Sequence, residues 1–225
     1  MKRYTHLLLD ADGTFYDFAS CENIALKKLF DYYHIPFCAE NIQLFHEANL
    51  ALWHAFERDE ATTRDIRDKR LFPLLEKYGL GRETVSAGKF YCDCLSENGI
   101  LFQGAMECLE ALHEKYRLEM ITNGLTEVQY GRFRSSGTES LYDHIIISEE
   151  IGVQKPKKEF FEYTLSTIGA SPDECLIIGD SLTSDIQGGI NSGIDTLYLH
   201  LSGEKKEGGY TYSAPSYDAL MSLLL

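Results

Sequence analysis

The residues most suited to chemistry come early, in Asp10-Ala11-Asp12-Gly13-Thr14. Two carboxylates two residues apart follow the apolar run Leu7-Leu8-Leu9 and precede a glycine turn. They can therefore converge on one point where a buried strand opens, which is the ligand-binding edge of open α/β sheets. Taken alone, the same residues also suit a solvated acidic turn. Three later segments repeat the arrangement of apolar run followed by functional groups. Thr122-Asn123-Gly124 places a hydroxyl and successive backbone N–H groups after Met120-Ile121, suited to phosphate oxygens. Gln154-Lys155-Pro156 sets a lysine before a helix that begins near Pro156. Gly179-Asp180-Ser181, with Asp185 just beyond, follows Leu176-Ile177-Ile178 and offers further acids near Asp10. A surface lysine and a helix-capping acid pair are the plain alternatives for the last two.

The elements that must position these residues follow from the hydrophobic pattern. His6–Leu9, Leu118–Ile121, Ile145–Ile147, Leu176–Ile178 and Thr196–Leu199 are short apolar runs of buried parallel strands. Helical patterns over Ala105–Tyr116, Thr126–Ser135, Lys158–Ile168 and Ser184–Asn191 alternate with them, predicting an α/β, doubly wound parallel sheet. Phe15–Gly99 breaks that rhythm with about four helices. Ser20 is expected to cap the first and Asn41 to begin the second, with Thr63–Tyr78, kinked or split at Pro73, and Glu83–Glu97 completing the set. The expected organisation is a discontinuous core, residues 1–15 and 100–225, carrying an inserted all-helical cap at residues 16–99.

The 225 residues are 44% hydrophobic, enough for one α/β core with a modest insertion. The 35 acidic residues outnumber the 21 Lys and Arg, for a net charge of -14. Such a field repels nucleic-acid polymers and anionic membranes but leaves room for a small anion held through a metal and one or two cations. Leu7–Leu9 is too short for a signal peptide or anchor. Cysteines 21, 38, 92, 94, 108 and 175 form no CxxC pair and are expected to be reduced, structural cysteines of a cytoplasmic protein, with Cys92 and Cys94 on nearly opposite helix faces. Ser202–Gly209 is expected to be an exposed loop.

The four motifs in this order resemble those of the haloacid dehalogenase-like hydrolase superfamily: DADGT the first, ITNG the second, the lysine of QKP the third and GDSLTSD the fourth. The helical insertion is similar to the family's first cap type. ITNGLTEVQYGRF, ISEEIGVQKPKKEFF and GDSLTSDIQGGINSGIDT look like the pyrimidine 5′-nucleotidase subgroup. The resemblance implies a Rossmann-like sheet ordered 5-4-1-2-3 and Mg²⁺-dependent phosphomonoester hydrolysis. Asp10 would be the nucleophile and Asp12 the general acid and then base, with Thr122 and Lys155 also catalytic. Phosphate would bind Thr122, Asn123, Gly124 and Lys155. Mg²⁺ would take the carboxylates of Asp10 and Asp180 and the carbonyl of Asp12, with Asp185 either ligating it or orienting its waters.

An acid at position 12 argues against dehalogenation, because a halide leaves without a proton. A phosphonate-cleaving Schiff base would have to fall on Lys27 or Lys28. The expected partner is a small phosphorylated metabolite, a nucleoside monophosphate first, in a chain compatible with a monomer. Sugar-phosphate or phosphoglycolate phosphatase and β-phosphoglucomutase-like phosphotransferase are the alternatives. A non-catalytic binding protein would be expected to lack a catalytic residue, and none is missing. Tyr16, Phe18, Phe45, Trp53 and Phe56 are candidates to bound the leaving-group pocket, with packing inside the cap as the alternative. Phe15, where many relatives carry an aliphatic residue, should affect packing near the linker.

Overall fold

A computed structural model describes residues 4–201, 203 and 205–225. Its sheet contains β1 (His6–Leu9), β2 (Arg117–Thr122), β3 (His144–Ile147), β4 (Cys175–Gly179), β5 (Asp195–Leu199) and β6 (Tyr212–Ala214). All neighbours are parallel and the order is β3-β2-β1-β4-β5-β6. The helices are α1 (Phe18–Tyr32), α2 (Ala39–Glu57), α3 (Thr63–Lys69), α4 (Phe72–Lys77), α5 (Thr84–Ser96), α6 (Ala105–His113), α7 (Thr126–Ser136), α8 (Ser148–Ile151), α9 (Lys158–Ile168), α10 (Gln187–Ser192) and α11 (Tyr217–Leu224).

β1 and β4 are central because their residues are apolar on both faces: Leu7, Leu8, Leu9, Leu176, Ile177 and Ile178 are all fully buried. One face packs Leu8, Ile121, Ile146 and Ile177 against Phe160 and Phe161 of α9. At the amino-terminal edge of the sheet, fully buried Glu119 accepts hydrogen bonds from His6 Nδ1 at 2.8 Å and His144 Nδ1 at 2.9 Å. These side chains come from three adjacent strands, with Glu119 in register with His144. The expected five-strand order is present, and β6 extends it beyond β5. Tyr212-Ser213-Ala214 lacks the apolar run that marks the inner strands, as suits a three-residue edge.

The chain divides into two compact units. The first takes the chain through Phe18, Ile100–Thr126 and Ser136–Leu225; the second is Ala19–Gly99 with Glu127–Ser135. Helix starts in the second unit differ from those expected. Ser20 lies inside α1, and Asn41 lies inside α2, where its amide donates to the Pro36 carbonyl and the Tyr78 hydroxyl. Cys38 is the N-cap of α2, with no side-chain capping bond. Thr63–Tyr78 is two helices: α3 has a Thr62–Asp65 capping box, and Pro73 sits in the first turn of α4, where its missing N–H has no helical partner to lose. Cys92 and Cys94 are both buried, so α5 is enclosed on both of the faces they occupy. In the Ser202–Gly209 segment, Gly203 and residues 205–209 are exposed, while Ser202 and Glu204 lie outside the described residues, as do Met1–Arg3.

Candidate active site

Parallel pairing fixes the site. Because β1 lies between β2 and β4, the turns that follow Leu9, Thr122 and Gly179 emerge side by side. The β1 turn is wound tightly: the Ala11 carbonyl accepts the N–H groups of Thr14, Phe15 and Tyr16 at 3.3, 3.0 and 3.0 Å. Gly13 adopts φ +86°, and a Cβ there would stand 2.4 Å from an Asp180 oxygen, so glycine meets both requirements. Phe15 is fully buried and stacks on Tyr217 at 5.6 Å, and the Tyr217 hydroxyl donates to the Thr14 carbonyl at 2.6 Å.

Asp10, Asp180 and Asp185 converge, each offering a carboxylate oxygen within 4.8 Å of the others. Lys155 Nζ, buried with them, donates to Asp10 Oδ1 and Asp185 Oδ1, both at 2.7 Å, and to the Ile121 carbonyl at 3.0 Å. The helix expected from Ser184 begins instead with a π-helical turn, Leu182–Ile186, followed by α10. This wide turn carries Asp185 to full burial, where one oxygen accepts the Ser181 N–H at 3.2 Å. Thr14, quoted within the first motif but assigned no role there, links two of the acids. Its hydroxyl lies 3.0 Å from Asp10 Oδ2 and 3.1 Å from Asp180 Oδ1, so its single proton serves one at a time.

Three carboxylates face one ammonium in a nearly dry site. Burial first, and then Asp185, push the Asp10 carboxyl well above its ordinary range, against the pull of Lys155. The same two causes raise Asp180 to about 6. Burial opposes the Lys155 charge, yet Asp10 and Asp185 hold its pKa above the usual amine value. The donor set is all oxygen and carries surplus negative charge, which fits a hard divalent cation such as Mg²⁺.

Thr122 is buried at the end of β2, and its hydroxyl accepts the Gly124 N–H at 3.1 Å. Asn123 and Gly124 follow it in a half-exposed turn. The half-buried Asp12 pairs with Tyr16 through a backbone bridge, and its carboxylate is outside the convergent cluster. Two aromatic candidates are corrected. Tyr16 is fully buried, with its hydroxyl among those of Thr138, Ser136 and Tyr142, and Phe45 is buried against Tyr91. Phe18, Trp53 and Phe56 keep exposed surface, the last two in edge-on contact at 5.8 Å. Lys28 pairs with Glu97, whose hydrogen bond raises its pKa, the opposite of what a Schiff-base amine needs.

Four motif turns on one sheet edge, with three acids and a lysine converging, agree with the sequence comparison: residues 4–193 match the haloacid dehalogenase-like hydrolases, and the chain belongs to that family. Among its relatives, the HAD-hydrolase YfnB of Bacillus subtilis is 37% identical over 201 residues, covering 89% of this chain and 86% of YfnB. Pyrimidine 5′-nucleotidase PynA of Streptococcus pneumoniae is 33% identical, covering 98% of this chain and 95% of its own. Pyrimidine 5′-nucleotidase YjjG of Escherichia coli is 30% identical, covering 99% and 98%. A crystal structure of YfnB bound to magnesium matches with a TM-score of 0.90 at 34% identity over 99% of both chains. Among the described residues, no helix is long and apolar enough to cross a membrane.

Proposed function

We propose that this chain is a cytoplasmic, Mg²⁺-dependent phosphomonoesterase that hydrolyses pyrimidine nucleoside 5′-monophosphates through a phosphoryl group carried on Asp10. The observation that carries the reading is the convergence of Asp10, Asp180 and Asp185, with the buried Lys155 ammonium bonded to Asp10 and Asp185. Asp10 and Asp180, with Asp185 beside them and the Asp12 carbonyl, would hold Mg²⁺, which supplies positive charge against the phosphate when bound.

Asp10 attacks phosphorus, forming an Asp–O–P bond as the ester P–O bond breaks. Asp12 gives its proton to the departing alkoxide. Water then attacks the same phosphorus, Asp12 takes its proton, and Asp10 is regenerated as inorganic phosphate leaves. Lys155 holds the nucleophile in place and offsets charge on the transferring group. The Thr122 hydroxyl and the backbone N–H groups of Asn123 and Gly124 bind phosphate oxygens. Relatives named as pyrimidine 5′-nucleotidases over nearly the whole chain support the choice of substrate.

The test is phosphate release with Mg²⁺ from a panel of nucleoside monophosphates and sugar phosphates. Uracil and thymine nucleotides should give the highest kcat/KM. Preference for sugar phosphates would overturn the substrate assignment, and an isomerised sugar phosphate without free phosphate would replace hydrolysis by phosphoryl transfer.

A further inference from the structure

Lys155 lies in the turn between α8 and α9, outside any strand or helix, yet it is almost fully buried. Its ammonium must reach Asp10 and Asp185 at once, so its backbone has to be fixed by something other than a ladder. One side chain does this. Asn123 Oδ1 accepts the Lys155 N–H at 2.9 Å, and Asn123 Nδ2 donates to the Lys155 carbonyl at 3.0 Å. A carboxamide thus stands in for a neighbouring strand, satisfying both backbone polar groups of a buried residue. The next residue, Pro156, has no N–H to add, and its carbonyl is held by Asn191 Nδ2 at 2.9 Å. Asn123 itself follows Thr122 in the turn after β2, so the clamp joins the second motif directly to the third.

We infer that the Asn123 side chain is a positioning residue for Lys155. It sets the ammonium between nucleophile and acid, separately from any contact its own backbone makes with phosphate. The catalytic consequence rests on the phosphatase reading above; the positional claim does not. Without the clamp, Lys155 loses a fixed backbone at two points, and an ångström of drift in a reacting group costs roughly 10²-fold in rate.

The experiment uses the full chain with Mg²⁺ and p-nitrophenyl phosphate. Asn123→Ala should lower kcat by roughly 10²-fold with a small change in KM, and Asn123→Asp, which replaces the donor by an acceptor facing the Lys155 carbonyl, should lose at least as much. In a Lys155→Met background, Asn123→Ala should add little further loss, because it acts through the lysine. Fully additive losses would overturn the inference. A readout independent of turnover is the ¹⁵N resonance of the Lys155 ammonium. It should be visible and slow to exchange in the parent, and lost or fast-exchanging in Asn123→Asp and Asn123→Ala chains whose melting shows them folded. An unchanged ammonium signal refutes the clamp whatever the activity. A parent inactive on every phosphate ester refutes the phosphatase reading while leaving the resonance to decide the clamp.

Discussion

The two edges of one sheet solve the burial of charge in opposite ways. At the carboxyl edge, Asp10 and Asp185 share one ammonium with Asp180 beside them, and burial with mutual repulsion raises the pKa values of Asp10 and Asp180. At the amino edge, the single carboxylate of Glu119 has an imidazole on each oxygen. Buried ionic groups are tolerated when their partners are complete and are costly when they are not. The amino edge is a completed structural arrangement. The carboxyl edge gathers three acids near one ammonium, a donor set compatible with magnesium.

Four substitutions or conditions would break or sharpen that contrast. Asp10→Asn should reduce phosphate release at least about 10⁴-fold without lowering the melting temperature; near-normal turnover would remove Asp10 as nucleophile. Saturating Mg²⁺ should stabilise the parent by about 3 kcal/mol at a hundredfold excess over its dissociation constant, read as a melting shift. Asp180→Asn should lose most of that shift while melting somewhat above the parent when both are metal-free, because it removes one of the crowded charges. Glu119→Ala should do the reverse, losing about 2 kcal/mol of stability while its folded fraction keeps normal specific activity and the full Mg²⁺ response. Equal effects on activity at both edges would erase the distinction.

The smallest effect is on pH dependence. Asp180 titrates at about 6 in the folded chain against an ordinary value of 3.8. Between those values the folded state holds a proton that the unfolded state has released, so this group's contribution to metal-free stability is lost as pH rises from about 4 to about 6. The Mg²⁺-induced shift should grow over the same range, as cation and proton compete for one carboxylate. Melting curves taken with and without Mg²⁺ across these pH values, for the parent and Asp180→Asn, measure both.

The inner strands were legible because parallel strands buried on both faces read as uninterrupted apolar runs, and Asp10 and Asp180 of the acidic cluster were legible because they closely follow two of those runs. Phe15 was expected to act through packing, and it does so by stacking on Tyr217. β6 was not legible, since three residues with a serine at the centre carry no period. The starts of α1 and α2 were missed because a residue able to cap a helix was read as doing so. Neither the Glu119 pair nor the Asn123 clamp could be read from sequence. Both join residues far apart in the chain, and neither a buried glutamate in a strand nor an asparagine in a turn announces its partner.

The strand order also sets a timetable for biosynthesis. β1 is made before both of its partners, since Leu8 pairs with Glu119 on one side and with Ile177 on the other. At ~5–20 residues per second, the β4 partner emerges on the order of ten to thirty seconds after β1. During that interval Leu7, Leu8 and Leu9 lack their β4 neighbours, and for its first part their β2 neighbours as well. The first strand therefore stays open to chaperones and to mispairing on its β4 side until translation has passed Gly179.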